Sequence, residues 1–202
     1  MLTQADLAII ISLVSLGVTI ISVLVKYSGL SLQKRSGRTQ HMISDLDITA
    51  EKLRKMVESS PIAKHSANDA LDRALRQEYK NRGISVPEGK PKGEVENRFI
   101  SSVTELNQQC QDYNQIFLNL REKGFFNRIL KIDNSLAWEL LNTSYKTEDF
   151  LNLKLIDQLS KENSTVLSDP GTLVTTMNIA GQILDTSKLC IQKLEKFLDI
   201  QR

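Results

Sequence analysis

The residues that could act as metal ligands, nucleophiles or proton-transfer groups are few and widely separated. The 202-residue chain contains two cysteines, Cys110 and Cys190, and two histidines, His41 and His65. Two cysteines cannot build a cysteine zinc site or a disulfide framework, and neither has a histidine at a useful spacing. Both cysteines fall on or beside apolar helical stripes, where reduced, buried thiols are common. We therefore expect core cysteines, with no catalytic residue, no metal site and no cofactor.

One arginine and one histidine lie close together in the segment RSGRTQH, at Arg35 and His41. An Arg and a His separated by a few residues resemble the catalytic signature of the HEPN helical-bundle ribonucleases. That resemblance implies a membrane-tethered RNase with these two residues as its catalytic pair, and it gives a second alternative function. The chain has no Gly-rich phosphate loop, His-Glu-x-x-His or Gly-x-Ser-x-Gly motif, and we expect it not to be an enzyme.

Hydroxyl side chains repeat along one face of an apolar segment near the start of the chain. Small or polar residues alternate at spacings of 4 and 3, which on a helix form one stripe: Ala8, Ser12, Ser15, Thr19, Ser22 and Lys26. In lipid, small and hydroxylated residues support close helix packing and interhelical hydrogen bonds. The stripe therefore predicts self-association of the segment. Two alternatives remain: the hydroxyls bond their own helix, or they line a water-filled lumen with Lys26 at its mouth.

The segment that carries this stripe has the length and composition of a transmembrane helix. The 19 residues from Leu7 to Val25 carry no charge, and as a helix they would rise about 28 Å. A cleaved signal peptide does not fit, because Asp6 rather than a basic residue precedes the run and no small-x-small site follows it. We predict a retained N-terminal transmembrane anchor over residues 1–27.

Basic residues flank this span on one side only. Lys26, Lys34, Arg35 and Arg38 follow it, the last three in a hinge with glycines and serines over residues 28–39, and no Lys or Arg precedes it. The positive-inside rule then predicts an outside N-terminus and a cytoplasmic C-terminal domain, most simply at a bacterial inner membrane. The same four side chains could also contact anionic lipid head groups of the bilayer.

Residues 40–202 have the pattern of an all-α domain. Apolar residues at helical spacing predict helices over about 40–59, 61–82, 94–122, 125–145, 147–163 and 172–200, with a bend near Asp133. Ser60-Pro61 is expected to separate the first two helices. The Gly- and Pro-rich segment 83–93 is expected to be a mobile loop and the place for a binding contact. The single tryptophan, Trp138, is expected in the core.

Two of these helices carry long stripes in heptad-like spacing. The first stripe comprises Val95, Phe99, Val103, Leu106, Cys110, Tyr113, Phe117 and Leu120, and the second comprises Leu173, Met177, Ala180, Leu184, Ser187, Ile191, Leu194 and Leu198. Because short connections join many helices, we expect an intramolecular antiparallel bundle. Pairing of the stripes between chains as a coiled coil is the alternative.

The charge balance limits the function classes. Lys and Arg number 26 and Asp and Glu 24, too balanced for a dedicated nucleic-acid-binding domain. We expect a non-enzymatic, single-pass membrane protein that self-associates and acts through protein–protein contacts, with copies of itself or an unidentified partner. The alternative is an oligomeric pore or membrane-perturbing effector. Its layout looks like that of small bacterial antiviral-defence effectors, which join one N-terminal span to a cytoplasmic helical bundle.

Overall fold

The computed structural model describes the backbone of residues 4–87, 89–161 and 164–201, and the side chains of residues 37–87, 89–161 and 164–200. Every regular element in those ranges is helical: α1 Gln4–Asn81, α2 Lys92–Glu122, α3 Phe125–Ile132, α4 Asn134–Asn152, α5 Leu155–Leu159, a 3₁₀ turn Val166–Ser168 and α6 Pro170–Gln201. The chain divides into two compact units, residues 1–44 and 45–202. The all-α prediction is confirmed for the described part of the chain.

The predicted membrane anchor lies in the first unit. No helix within the described residues is both long and apolar enough to cross a membrane. The predicted span and its stripe, with Ser12, Ser15, Thr19, Ser22 and Lys26, lie outside the residues whose side chains are described, and so do Lys34 and Arg35. Arg38 is described and lies exposed on α1. The anchor, its stripe and its orientation therefore stay predictions.

In the second unit, four long helices form an antiparallel bundle. The ion pairs and hydrogen bonds that join them are Asp45–Lys123 at 2.7 Å, Arg73–Glu96 at 3.3 Å, Tyr113–Leu140 at 2.8 Å, Glu139–Lys193 at 2.6 Å and Arg54–Glu195 at 2.6 Å. They place the part of α1 that follows Asp45 beside the ends of α2 and α6, and the start of α4 beside the end of α6. Each helix therefore runs opposite to its two neighbours, as in an up-down-up-down bundle.

The α2 stripe predicted from the sequence forms the centre of the core. All eight of its apolar residues, from Val95 to Leu120, are buried. Tyr113 lies at its middle and donates a hydrogen bond to the backbone carbonyl of Leu140 on α4 at 2.8 Å. Its ring stacks on Phe117, which makes an edge-to-face contact with Phe126 of α3. These contacts fix α2 against two neighbouring helices.

The buried face of α6 differs from the predicted stripe at three of its eight positions. Leu173, Ala180, Ser187, Leu194 and Leu198 are buried as expected. Between them the structure buries Thr176, Ile183 and Cys190, and it leaves the predicted Met177, Leu184 and Ile191 half-buried. Because α6 packs between α1 and α4, its buried face is centred one residue away from the sequence stripe.

The predicted helix break at Ser60-Pro61 is wrong, since α1 continues through Pro61. A proline inside a helix removes one backbone hydrogen bond. Here its ring faces solvent, and the Ser60 hydroxyl donates to the Met56 carbonyl at 2.6 Å. Buried residues on both sides of Pro61, Met56 and Ala63 among them, hold one continuous face in the core. Packing therefore outweighs the local helix-breaking signal.

The helix boundaries within residues 125–163 differ from the two helices predicted over 125–145 and 147–163. The chain breaks at Asp133, near the predicted bend, and the Asp133 side chain accepts a hydrogen bond from the Leu136 N–H at 3.0 Å to cap α4. Helix α4 then runs without interruption to Asn152. The turn that ends it places Lys154 at a left-handed backbone conformation, with φ of 50°.

This left-handed residue gives a stability prediction. The left-handed region costs a non-glycine residue about 1–2 kcal/mol, and the extra chain entropy of glycine offsets about 0.5–1 kcal/mol of the gain. We therefore expect Lys154→Gly to raise the free energy of unfolding by about 0.5 kcal/mol. Urea unfolding followed by circular dichroism measures the shift, with Lys154→Ala as the matched control. A Gly variant no more stable than the Ala variant would contradict the assigned conformation.

Candidate functional site

The two cysteines lie in the core, as predicted. Both are fully buried and unpaired. Burial raises the pKa of Cys190 to about 12 and raises that of Cys110 further still. A thiol is a nucleophile or metal ligand only as the thiolate. Because that form is strongly disfavoured at neutral pH, these cysteines serve packing.

Neither His41 nor His65 belongs to a metal-binding group among the described residues. His41 is exposed on α1 in the first unit, and the side chain of Arg35 lies outside the described residues, so the geometry of the RNase-like pair is not described. His65 lies 3.7 Å from the carboxylate of Asp69, one turn along α1. Among the described residues, no group of three His, Cys, Asp or Glu side chains is arranged to hold a metal ion.

Five cationic side chains line a cleft at one end of the bundle. A cleft of about 350 Å³ lies where the end of α1 meets the loop before α2. Its charged lining residues are Arg73, Arg76, Lys80, Lys90 and Lys92, with the amide of Gln77 among them. No carboxylate is found among its described lining residues. We call these six residues and the space between them the basic cleft.

Carboxylates outside the basic cleft position its cations. The Arg76 Nε lies 2.7 Å from Asp72, and the Lys90 Nζ lies 2.6 Å from Asp69. The Lys90 ammonium group lowers the pKa of the Asp69 carboxyl, so this carboxylate stays charged well below neutral pH. Arg76 also donates to the loop carbonyl of Pro87 at 3.0 Å. These contacts tie the loop to α1 and hold the cationic groups in place.

Lys80 and Gly89 complete the basic cleft in different ways. Lys80 lies exposed on the last turn of α1, and it makes no ion pair with any residue that the structure describes. A Cβ on Gly89 would lie 3.3 Å from the Cδ of Arg76. The missing side chain therefore lets the loop backbone lie directly against the arginine. Lys80 therefore lies at an exposed edge of the basic cleft, whereas the loop backbone at Gly89 packs against the side chain of Arg76.

A second cleft of about 510 Å³ adjoins the basic cleft and shares Arg73, Gln77 and Lys92 with it. We call it the mixed cleft, because its other lining residues are apolar, hydroxylated, amide or acidic: Ala74, Leu167, Pro170, Ser164, Ser168, Asn81, Glu78 and Glu96. The Ser164 hydroxyl is buried and has no hydrogen-bond partner among the described residues.

A separate feature is an exposed aromatic stripe on α4. The Trp138 side chain is 63% exposed and that of Tyr145 is 53% exposed. Leu141 lies half-buried between them, at helical spacing of 3 and 4. The prediction that Trp138 lies in the core is wrong, because Leu136, Ala137 and Leu140 occupy the core side of this helix. We call Trp138, Leu141 and Tyr145 the α4 face.

The sequence contained part of the signal for both features. The loop predicted over 83–93 supplies Pro87, Gly89, Lys90 and Pro91 to one wall of the basic cleft, and a binding contact there stays a prediction. The other wall comes from Arg73, Arg76 and Lys80, which only the antiparallel pairing of α1 with α2 brings beside it. The sequence does contain the 3 and 4 spacing of the α4 face. The stripe of Leu136, Ala137 and Leu140 overlaps it, so the spacing alone does not predict which of the two faces is exposed.

Comparison of the chain with protein-family models, with curated proteins and with solved structures finds no match. Its function is therefore argued from its own residues and their geometry.

Proposed function

We propose that this chain is a single-pass membrane protein whose cytoplasmic helical bundle acts by non-catalytic self-association through the α4 face. The uncharged segment from Leu7 to Val25 and the basic residues that follow it support the anchor and its orientation. The α4 face, with its two exposed aromatic side chains, is the single observation that carries the association.

Single exposed apolar residues are common on protein surfaces, but this stripe is not a single residue. Trp138 and Tyr145 lie two helical turns apart on one side of α4, with Leu141 between them. Tryptophan and tyrosine are enriched among the residues that carry binding energy at protein interfaces. A fully buried aromatic side chain removes roughly 150–250 Å² of surface from water, and more than half of each of these two residues is still exposed to be covered.

A second copy of the chain is the occupant that the anchor favours. Membrane anchoring holds all copies in one plane and in one orientation, which raises their effective concentration toward one another. A two-fold axis along the membrane normal then brings the same face of each copy together, so one patch is sufficient. The predicted hydroxyl stripe with Ser12, Ser15, Thr19 and Ser22 would support the same contact inside the bilayer.

Cysteine crosslinking of the full chain in membranes tests this proposal. Cys110 and Cys190 are buried, so a cysteine introduced at an exposed position dominates the reaction. Asn142 is exposed beside the α4 face, and Asn142→Cys is the test variant. Gln111 is exposed on α2, and Gln111→Cys is the matched control. We expect a crosslinked dimer through position 142 and little through position 111.

Truncating the α4 face should remove this crosslink. Interface hot spots cost about 2 kcal/mol or more when truncated, about thirtyfold in affinity. We therefore expect Trp138→Ala with Tyr145→Ala to reduce the position-142 dimer by at least about tenfold, while Tyr79→Ala, an exposed aromatic elsewhere, leaves it unchanged. Equal crosslinking in all variants would contradict the proposal. A persistent oligomer that conducts ions in planar bilayers would favour the pore instead.

A further inference from the structure

We propose that the surface where α2 meets α3 docks on an anionic lipid bilayer. This docking rests on the proposed membrane anchor and is independent of the α4 face. The residues that carry it are apolar and basic, and we call them the α3 corner: Leu118 and Arg121 of α2, and Phe126, Leu130 and Lys131 of α3.

The α3 corner exposes apolar side chains beside a cleft. Leu118 is 46% exposed and Leu130 is 43% exposed, and Phe126 is half-buried. Leu118 and Phe126 line one cleft of about 450 Å³, and Leu130 lies one helical turn beyond Phe126. The fully buried Ile129 and the edge-to-face contact of Phe126 with Phe117 hold α3 against the bundle. The apolar strip therefore lies at the surface on a helix that packing keeps in place.

Basic side chains border this apolar strip. Arg121 lines the same cleft, and Lys131 lies exposed on α3. Residues 121–132 contain four basic side chains against one acidic side chain, Glu122, which also lines the cleft. A helix with basic and large apolar side chains at its surface is typical of segments that lie on membranes. Lipid phosphates attract the basic groups, and the apolar groups reach the edge of the acyl chains.

The acidic residues whose side chains are not described do not offset this charge. They are Asp6, Glu88 and Glu162. Asp6 precedes the predicted span, on the side of the membrane opposite to the bundle in the proposed orientation. Gly89 and Ser164, which follow the other two closely in the chain, line the clefts at the far end of the bundle.

The α3 corner lies at the end of the bundle where the chain enters it. Lys123, in the turn before α3, pairs at 2.7 Å with Asp45, the first residue of the second unit. Residues 26–44 join Asp45 to the predicted span, and even a fully extended segment of that length reaches at most about 70 Å. A bilayer is therefore always within reach of this end of the bundle, at a high effective concentration.

A second copy of the chain fits the α3 corner less well than lipid does. A two-fold contact through this surface would bring Arg121 and Lys131 of one copy against the same two cations of the other. Like charges placed opposite one another weaken an interface, whereas an anionic surface complements both cations. The bilayer is therefore the partner that the charges of the α3 corner favour.

Fluorescence of the full chain in proteoliposomes tests the docking. Asn127 is exposed and lines the cleft, so Asn127→Cys carries an environment-sensitive label at the α3 corner. The native cysteines are buried, and Asn81→Cys at the exposed end of α1 carries the same label as the matched control. The vesicles contain phosphatidylcholine, with or without phosphatidylglycerol, and a lipid with a nitroxide quencher near its head group. We expect quenching at position 127 that phosphatidylglycerol strengthens, and none at position 81.

Removal of charge from the α3 corner should change the docking in both directions. An anionic bilayer favours each basic residue at its surface by about fivefold, so we expect Arg121→Gln with Lys131→Gln to lower the ratio of docked to undocked chains by about twentyfold. Glu122→Gln should raise that ratio, because it removes a charge that the lipid repels. Lys64→Gln with Lys188→Gln removes two exposed positive charges midway along the bundle and should leave the ratio within about twofold.

Three results would overturn the docking while the anchor stands. The first is equal quenching at positions 127 and 81 in vesicles that contain phosphatidylglycerol. The second is unchanged quenching at position 127 in Arg121→Gln with Lys131→Gln. The third is a signal at position 127 that follows the protein-to-lipid ratio rather than the phosphatidylglycerol content, which would indicate a second copy of the chain at this surface.

Failure of the anchor has a separate signature. A chain that does not float with the vesicles would contradict the anchor, and the docking with it. Loss of the docking alone would leave the crosslinking through the α4 face unchanged, so the two proposals fail separately.

Discussion

The variant Tyr113→Ala is expected to lose about 3–5 kcal/mol of unfolding free energy, because removal of a fully buried aromatic ring leaves a cavity that the core only partly fills. Tyr113 has no exposed surface, and its burial raises the pKa of its phenol well above the ordinary value. Its ring stacks on Phe117 and its hydroxyl reaches α4. The variant therefore loses both the stacking within α2 and the contact between α2 and α4.

Chemical unfolding of the full chain followed by circular dichroism measures this loss. Tyr113→Phe separates the ring from the hydroxyl, and we expect it to cost about 0.5–1.5 kcal/mol for the hydrogen bond to Leu140. Tyr79→Ala, an exposed tyrosine on α1, should stay within about 0.5 kcal/mol of the parent chain. A Tyr113→Ala loss no larger than that of Tyr79→Ala would contradict the packing of α2 described above.

The neighbouring variants Ile183→Ala and Leu184→Ala should differ, although both remove an aliphatic side chain from the middle of α6. Ile183 is fully buried and Leu184 is only half-buried. Replacing a buried aliphatic residue with alanine lowers the free energy of unfolding by about 2–5 kcal/mol. A half-exposed residue loses less, because part of its side chain stays in contact with water in the folded state. We therefore expect the Ile183 variant to be destabilised at least twice as much.

The two α6 variants are read from the same unfolding curves, and the slope of each curve must stay unchanged for the comparison to hold. A loss at Leu184 equal to or greater than that at Ile183 would show that the seam of Met177, Leu184 and Ile191 is buried. Concentration dependence of the midpoint would then indicate burial between chains, as in the coiled-coil alternative.

The helical class and the core of α2 could be predicted from the sequence, because a single apolar stripe on that helix makes its contacts with the neighbouring helices. All eight predicted residues of α2 are buried. Helix α6 contacts α1 on one side and α4 on the other, and its buried face takes in Thr176 and Ile183 in place of Met177 and Leu184. A single heptad-like stripe cannot predict which flank of such a helix is covered, since that depends on its neighbours.

Local signals failed where packing competed with them. Pro61 was expected to end a helix, but its ring faces solvent and the flanking buried residues keep α1 continuous. Trp138 was expected in the core on hydrophobicity, yet the helix turns it outward because smaller apolar neighbours fill the core side. In both cases the deciding information lies in the neighbouring helices.

The candidate sites were less predictable than the fold. Residues of the predicted 83–93 loop do line the basic cleft, and glycines and prolines keep such a segment at the surface. That it makes a binding contact stays a prediction. Its cationic partners Arg73 and Arg76 lie on the preceding helix. In the sequence their spacing is typical of an ordinary solvent-exposed helix face. Their convergence on one cleft follows from the pairing of α1 with α2, and no periodicity within either segment specifies it.

The antiparallel arrangement of α1 and α6 has a mechanical consequence. The ion pair between Arg54 and Glu195 shows that the start of the bundle and the end of α6 lie at the same end. Tension between Asp45 and the last turn of α6 would separate these two helices like a zipper, breaking one layer of side chains at a time. Tension between Asp45 and the first turn of α6, at the opposite end of the bundle, would shear α1 along α6, so that many layers resist together. One bundle, with one thermodynamic stability, would thus yield easily to force in the first direction and resist it in the second.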